Sequence, residues 1–115
     1  MTTSITEEQG DAEYPLVLDI HEDEGNMSFS LTCRLKINEN RDSKSIEGII
    51  EGGGMSSRDC LDDEDASDYQ LCAERKSVRE VTSYLREKFP EATVSGTIKG
   101  TNWYLYSSNP RIYSF

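Results

Sequence analysis

Met27, Phe29, Leu31, Cys33, Leu35 and Ile37 alternate without a break with Ser28, Ser30, Thr32, Arg34, Lys36 and Asn38. A two-residue period held over that length fits a strand with one face in a core and one in water, because a 3.6-residue period would scatter the same apolar side chains around a cylinder. The chain must therefore build a sheet, and flanking stretches supply neighbours. Tyr14, Leu16, Leu18 and Ile20 alternate with Pro15, Val17, Asp19 and His21, which predicts a preceding strand with Pro15 near its start. Glu22, Asp23, Glu24, Gly25 and Asn26 read as the turn between the two. Beyond a turn-like stretch at 38–43, Ile46, Ile49 and Ile50 mark a third strand over 44–51. The change of face between Ile46 and Ile49 predicts a bulge at Gly48 or a strand covered on both sides. The first half thus reads as a three-stranded meander released into a flexible hinge at Gly52, Gly53 and Gly54.

A helical period follows. Val78, Val81, Leu85 and Phe89 recur at i, i+3, i+7 and i+11, one face of a helix suited to packing on that sheet. Pro90 cannot continue the backbone ladder. Two starts compete: Ser77 with Glu80 has capping-box spacing, and so does Ser67 with Gln70. The earlier one gives a helix over about 68–89, with Leu71 and Cys72 extending the apolar face, and is preferred. After the helix, Ala92, Val94, Gly96 and Ile98 alternate, 99–102 supply a turn, and an aromatic strand follows with Trp103, Tyr104 and Tyr106. Asn109 and Pro110 break it, and 111–115 form a last short strand with Tyr113 and Phe115 on one side. The expected architecture is α+β: an antiparallel sheet, made of the N-terminal meander and C-terminal hairpin strands, with one main helix packed on it. Residues 1–13, polar and acidic, are expected as a mobile arm with at most a helical turn after Ser4, and 14–115 as a single domain.

Charge narrows function more than fold does. The formal net charge is −10 and only 35% of residues are apolar. Residues 1–74 hold 19 acids against 5 bases, whereas 75–115 hold 3 acids against 7 bases, so the chain is electrically two-sided. Such negative charge repels nucleic acid and anionic membranes and draws in basic surfaces. Cys33, Cys60 and Cys72 are an odd number without a C-x-x-C pair or an export signal, which points to a reducing compartment. A bridge between Cys60 and Cys72 is the oxidised alternative. No apolar run approaches the ~20 residues of a membrane span, so a soluble, cytoplasmic protein is expected.

Catalytic chemistry finds little purchase. His21 stands alone, so no zinc constellation exists, and no nucleophile elbow, P-loop or dinucleotide fingerprint is present. Crowded carboxylates in loops are not the differently placed pair that general acid–base work requires. The acids of 62–68 lack the glycine and the twelfth-position glutamate of an EF-hand. No enzyme activity, cofactor or metal is expected. Consecutive carboxylates on an extended chain, about 3.3 Å apart, approach the ~3.4 Å phosphate spacing of one nucleic-acid strand. The candidate partner-binding residues are therefore Glu7, Glu8, Asp11 and Glu13 in the arm, Glu22, Asp23 and Glu24 in the first turn, and Asp62, Asp63, Glu64, Asp65 and Asp68 before the helix.

In length and in the acids Glu7, Glu8, Asp11, Glu13, Asp62, Asp63, Glu64, Asp65 and Asp68, the chain resembles the small anti-CRISPR proteins of phages and prophages, in particular an acidic inhibitor of the type I-F surveillance complex. The resemblance is global and no motif carries it. It implies a DNA mimic that blocks the basic channel, or the motif-reading site, where target DNA first docks. An immunity protein or antitoxin capping a basic nuclease has the same electrostatics. A third reading reverses the sign: Arg75, Lys76, Arg79, Arg86 and Lys88, with Trp103, Tyr104 and Tyr106 as stacking platforms, would bind single-stranded nucleic acid.

Overall fold

The computed structural model describes residues 2–23, 27–57, 63–101 and 111–115. Among these residues six strands form a single sheet in sequence order: β1 (Thr2–Gln9), β2 (Leu16–Asp23), β3 (Met27–Glu39), β4 (Ser43–Ser57), β5 (Thr93–Gly100) and β6 (Arg111–Ser114). Helix α1 (Asp63–Lys88) lies between β4 and β5. The meander of β2, β3 and β4 is antiparallel as the alternation predicts, with Leu18 opposite Cys33 and Cys33 opposite Ile50.

The sheet is mixed, not antiparallel. Strand β5 pairs with β4 in parallel, Ile46 beside Gly96 and Ile50 beside Gly100. A 26-residue helix, about 39 Å long at ~1.5 Å per residue, carries the chain from the end of β4 back to the level of its start. The next strand must then run in the same direction. Gly96 sits at this parallel junction with φ +154°, and a β-carbon there would strike the carbonyl of Ile46. Other expectations also give way. The acidic arm is strand β1, antiparallel to β2, with Ile5 opposite Ile20 and Glu7 opposite Leu18. The glycine triplet lies inside β4, and the register shift falls between Ser30 and Leu31, which pair with Gly54 and Gly52 and leave Gly53 as the extra residue. Gly48 pairs in register with Leu35. Ile46, Gly48 and Ile50 share the buried face while Ile49 points the other way, so no bulge is needed there. Strand β5 continues through Gly100, where a turn was expected. The aromatic strand at Trp103, Tyr104 and Tyr106 lies outside the described residues.

The core forms between one face of the sheet and α1. Leu18, Ile20, Phe29, Leu31, Cys33, Leu35, Ile46, Ile50, Val94 and Ile98 meet Ala73, Val78, Val81 and Leu85 of the helix. Each such side chain withdrawn from water contributes about 1.5–3 kcal/mol. Phe89, Tyr113 and Phe115 pack on the margin of this cluster, and Lys44 lies 5.5 Å over the Phe89 ring. The other sheet face carries mostly Ser, Thr and charged residues, with Val17 buried and Ile49 half-buried among them.

The helix is longer than either expected start allows: it begins at Asp63, so Ser67 and Ser77 both lie inside it. Cys72 is exposed, since nine residues from Val81 at 100° each place it on the opposite flank, and Ala73 is buried in its stead. Ser77 is accordingly a mid-helix residue, fully buried, whose hydroxyl finds no hydrogen-bond partner among the described residues. Ser77→Ala is therefore expected to leave stability unchanged or raise it by up to about 1 kcal/mol in urea denaturation, because an unsatisfied hydroxyl is removed. Had Ser77 capped a helix, the same change would cost about 1 kcal/mol.

Candidate functional site

The acids singled out in the sequence separate into different environments. Strand β2 runs on to Asp23, so alternation places Glu22 with Leu18 and Ile20 on the covered face, opposite Phe29, and it is fully buried. Glu22 is thereby withdrawn as a surface ligand, while Asp23 remains exposed. Glu7 is exposed but already engaged: Tyr84 donates its hydroxyl hydrogen at 2.5 Å and Lys88 its ammonium at 2.8 Å. These bonds, Lys88 first, hold the Glu7 carboxyl below the ordinary carboxylate range. Glu8 points to the opposite face of β1, where a hydrogen bond to the Asp19 carboxyl raises its pKa. Asp11 accepts the main-chain N–H of Tyr14 at 2.7 Å and so shapes the β1–β2 turn, and Glu13 is exposed beside it.

Asp63, Glu64, Asp65 and Asp68 belong to the first turns of α1. A helix advances about 1.5 Å per residue and turns 100°, so these acids wind around an axis and do not follow a strand of phosphates at 3.4 Å intervals. The extended-chain spacing expected for them is corrected. What remains is a negative helix start, favourable to the helix macrodipole. Glu24 and Asp62 lie outside the described residues.

Glu74 carries the tightest polar cluster among the described residues. It is fully buried on the sheet-facing side of α1, one turn before Val78. Arg111 donates to both carboxylate oxygens, from Nε at 2.7 Å and from Nη2 at 2.9 Å, and the Tyr113 hydroxyl donates at 2.6 Å. Arg111 and Tyr113 are two apart on β6, hence on one face, and both reach back under the helix. Gly100 of β5 makes room, because a β-carbon there would occupy the position of a Glu74 carboxylate oxygen. The Glu74 hydrogen bond raises the Arg111 pKa, and burial followed by the Glu74 bond pushes the Tyr113 hydroxyl up to about 12. A carboxylate in such a place is held by its partners, since a buried charge stripped of them costs several kcal/mol.

Beside this cluster, α1 and β6 wall a cleft of ≈ 740 Å³ lined by Arg75, Arg79, Thr82, Arg86, Ile112 and Phe115 among others. Of the basic helix residues noted in the sequence, Arg75, Arg79 and Arg86 fall on this flank, whereas Lys88 is turned away to Glu7. His21, exposed on β2, has its Nδ1 3.4 Å from the Ser30 hydroxyl. Cys33 and Cys72 are free thiols. Burial pushes the Cys33 thiol up to about 12, which makes it a poor nucleophile; Cys60 lies outside the described residues. Among the described residues no group of three or more His, Cys, Asp or Glu converges as a metal site, and no helix is long and apolar enough to cross a membrane.

The raised Tyr113 pKa makes stability fall at high pH. The folded value lies above the ordinary 10.0, so its contribution is complete below pH 10 and is lost as pH climbs towards about 12. Thermal midpoints measured from pH 9 to 12 should show this loss, and Tyr113→Phe should flatten it while starting from a lower stability. No family model, curated protein or solved structure matches the chain.

Proposed function

We propose that this chain is a non-enzymatic inhibitor that places its acidic end in a basic DNA-binding surface of a host protein complex, a type I-F CRISPR surveillance complex by the resemblance given above, and so blocks target-DNA binding in the bacterial cytoplasm. The observation that carries the reading is the charge layout. Asp23 ends β2, and Asp63, Glu64, Asp65 and Asp68 make the first turns of α1 strongly negative, whereas Arg75, Arg79 and Arg86 of the α1–β6 cleft follow later along the same helix. Mimicry here is of charge density and not of phosphate spacing, which the helix does not reproduce. Glu8, Asp11 and Glu13 form a second, smaller acidic group at the opposite end of β1. An immunity protein that caps a basic nuclease would use the same acidic end.

The test pairs binding with competition. Replacing Asp63, Glu64, Asp65 and Asp68 together by lysine should abolish inhibition of target-DNA binding by the purified surveillance complex, whereas four exposed acids elsewhere, Glu39, Asp42, Glu47 and Glu91, should tolerate the same change. Inhibition by the unaltered protein should also weaken as salt rises. Equal losses from the two sets would remove the helix start from the interface, and recovery of a single small nuclease from host lysate would favour the capping role instead.

A further inference from the structure

The arginine row along the α1–β6 cleft is an expense in a chain with 22 acids to draw on. Arg75 and Arg79 are four residues apart, a like-charge spacing that weakens a helix by a few tenths of a kcal/mol, and Arg86 continues the row on the same flank. None of the three forms an ion pair among the described residues, and no acid lines the cleft. Arg111 is already neutralised by Glu74.

The other wall is a strand with no partner on one side among the described residues. Gly96 and Phe115 exchange two main-chain hydrogen bonds, at 3.0 and 3.1 Å, so Arg111, Tyr113 and Phe115 direct their N–H and C=O groups at β5. The main-chain groups of Ile112 and Ser114 therefore point away from the sheet, and among the described residues no strand pairs with them. Ile112, which borders the cleft at this edge, is the large apolar side chain left 62% exposed among the described residues, and alternation with Tyr113 turns it from the helix. An exposed edge of this kind accepts an added strand.

We propose that this edge and the arginine row together dock an extended acidic segment of a partner protein, which joins the sheet beside β6. Acidic side chains on alternate residues face Arg75, Arg79 and Arg86, and apolar residues between them lie beside Ile112. The dimensions agree: the three arginines span about 16 Å of helix, and three alternate acids on a strand span about 13 Å, a difference the long arginine arms absorb. Pairing of two copies through β6 would bring two arginine rows together, and a polyphosphate would use neither the open amides nor Ile112. The acids assigned to inhibition end at Asp68 and this basic row begins at Arg75, and different variants test the two proposals, so either can fail alone.

The probe is a labelled eight-residue peptide alternating Glu and Val, compared with an isomer holding its four glutamates in one block and with a single-stranded oligothymidine. The alternating peptide should bind by fluorescence anisotropy and slow hydrogen exchange at the Ile112 and Ser114 amides of the full chain. The block isomer and the double variant Arg79→Glu, Arg86→Glu should each bind at least about tenfold more weakly, as two lost charge contacts allow. Equal binding of both peptides without protection of those two amides, tighter binding of the oligonucleotide, protection through self-association without peptide, or no binding at millimolar peptide would each overturn the proposal.

Discussion

A single buried carboxylate ties the helix to the far edge of the sheet. Glu74 is fully buried, and only the fork of Arg111 and the hydroxyl of Tyr113 make that tolerable. Both partners belong to a strand of four residues that, among the described residues, has β5 as its one neighbour in the sheet. Without the clamp, β6 would depend on a few main-chain bonds and the packing of Tyr113 and Phe115. With it, the end of the chain is fixed beneath α1, and the cleft between them has a defined width. Gly100 belongs to the same device, since any side chain there would displace the carboxylate.

The clamp sits where the charge of the chain changes sign. Residues 1–74 are strongly acidic and 75–115 mildly basic, and the division falls within α1, next to Glu74. Toward its start the helix carries Asp63, Glu64, Asp65 and Asp68, while Arg75, Arg79 and Arg86 row along the flank that faces β6. On the β1 side, Glu7 is joined to Tyr84 and Lys88, which fastens the other edge strand to the same helix. One helix is thus anchored to both sheet edges, with acidic first turns and a basic row from Arg75 to Arg86 on one flank.

The parts of this fold that were legible in the sequence are those whose signal is local. The alternation from Met27 to Ile37 named a strand and its buried face together, and Val78, Val81 and Leu85 named a helix face. Strand β1 was missed because Ile5 is its lone aliphatic between Thr2 and Gln9, and its place is decided by main-chain bonding to β2. The direction of β5 was missed because alternation is the same in parallel and antiparallel strands; the length of the crossover helix decides it. Glu22 was read as a turn residue because charge outweighed period, though it continues the alternation of Leu18 and Ile20. Glu74 left a usable trace: an acid one turn before Val78 on the apolar face, with Arg111 and Tyr113 two apart in a late strand. The acidic group at 63–68 was legible as charge but not as geometry, because extended and helical chains space the same residues differently.

The claim on which this account rests is that Glu74 and Arg111 act as a coupled pair that positions β6 against α1. A double-mutant cycle with Glu74→Ala and Arg111→Ala, followed by urea denaturation, tests it most directly. The expected coupling is about 2 kcal/mol or more, with each single change costing about 3–5 kcal/mol and the double change far less than their sum. Additivity of the two losses to within about 0.5 kcal/mol would contradict it and leave the cleft without the anchor described here.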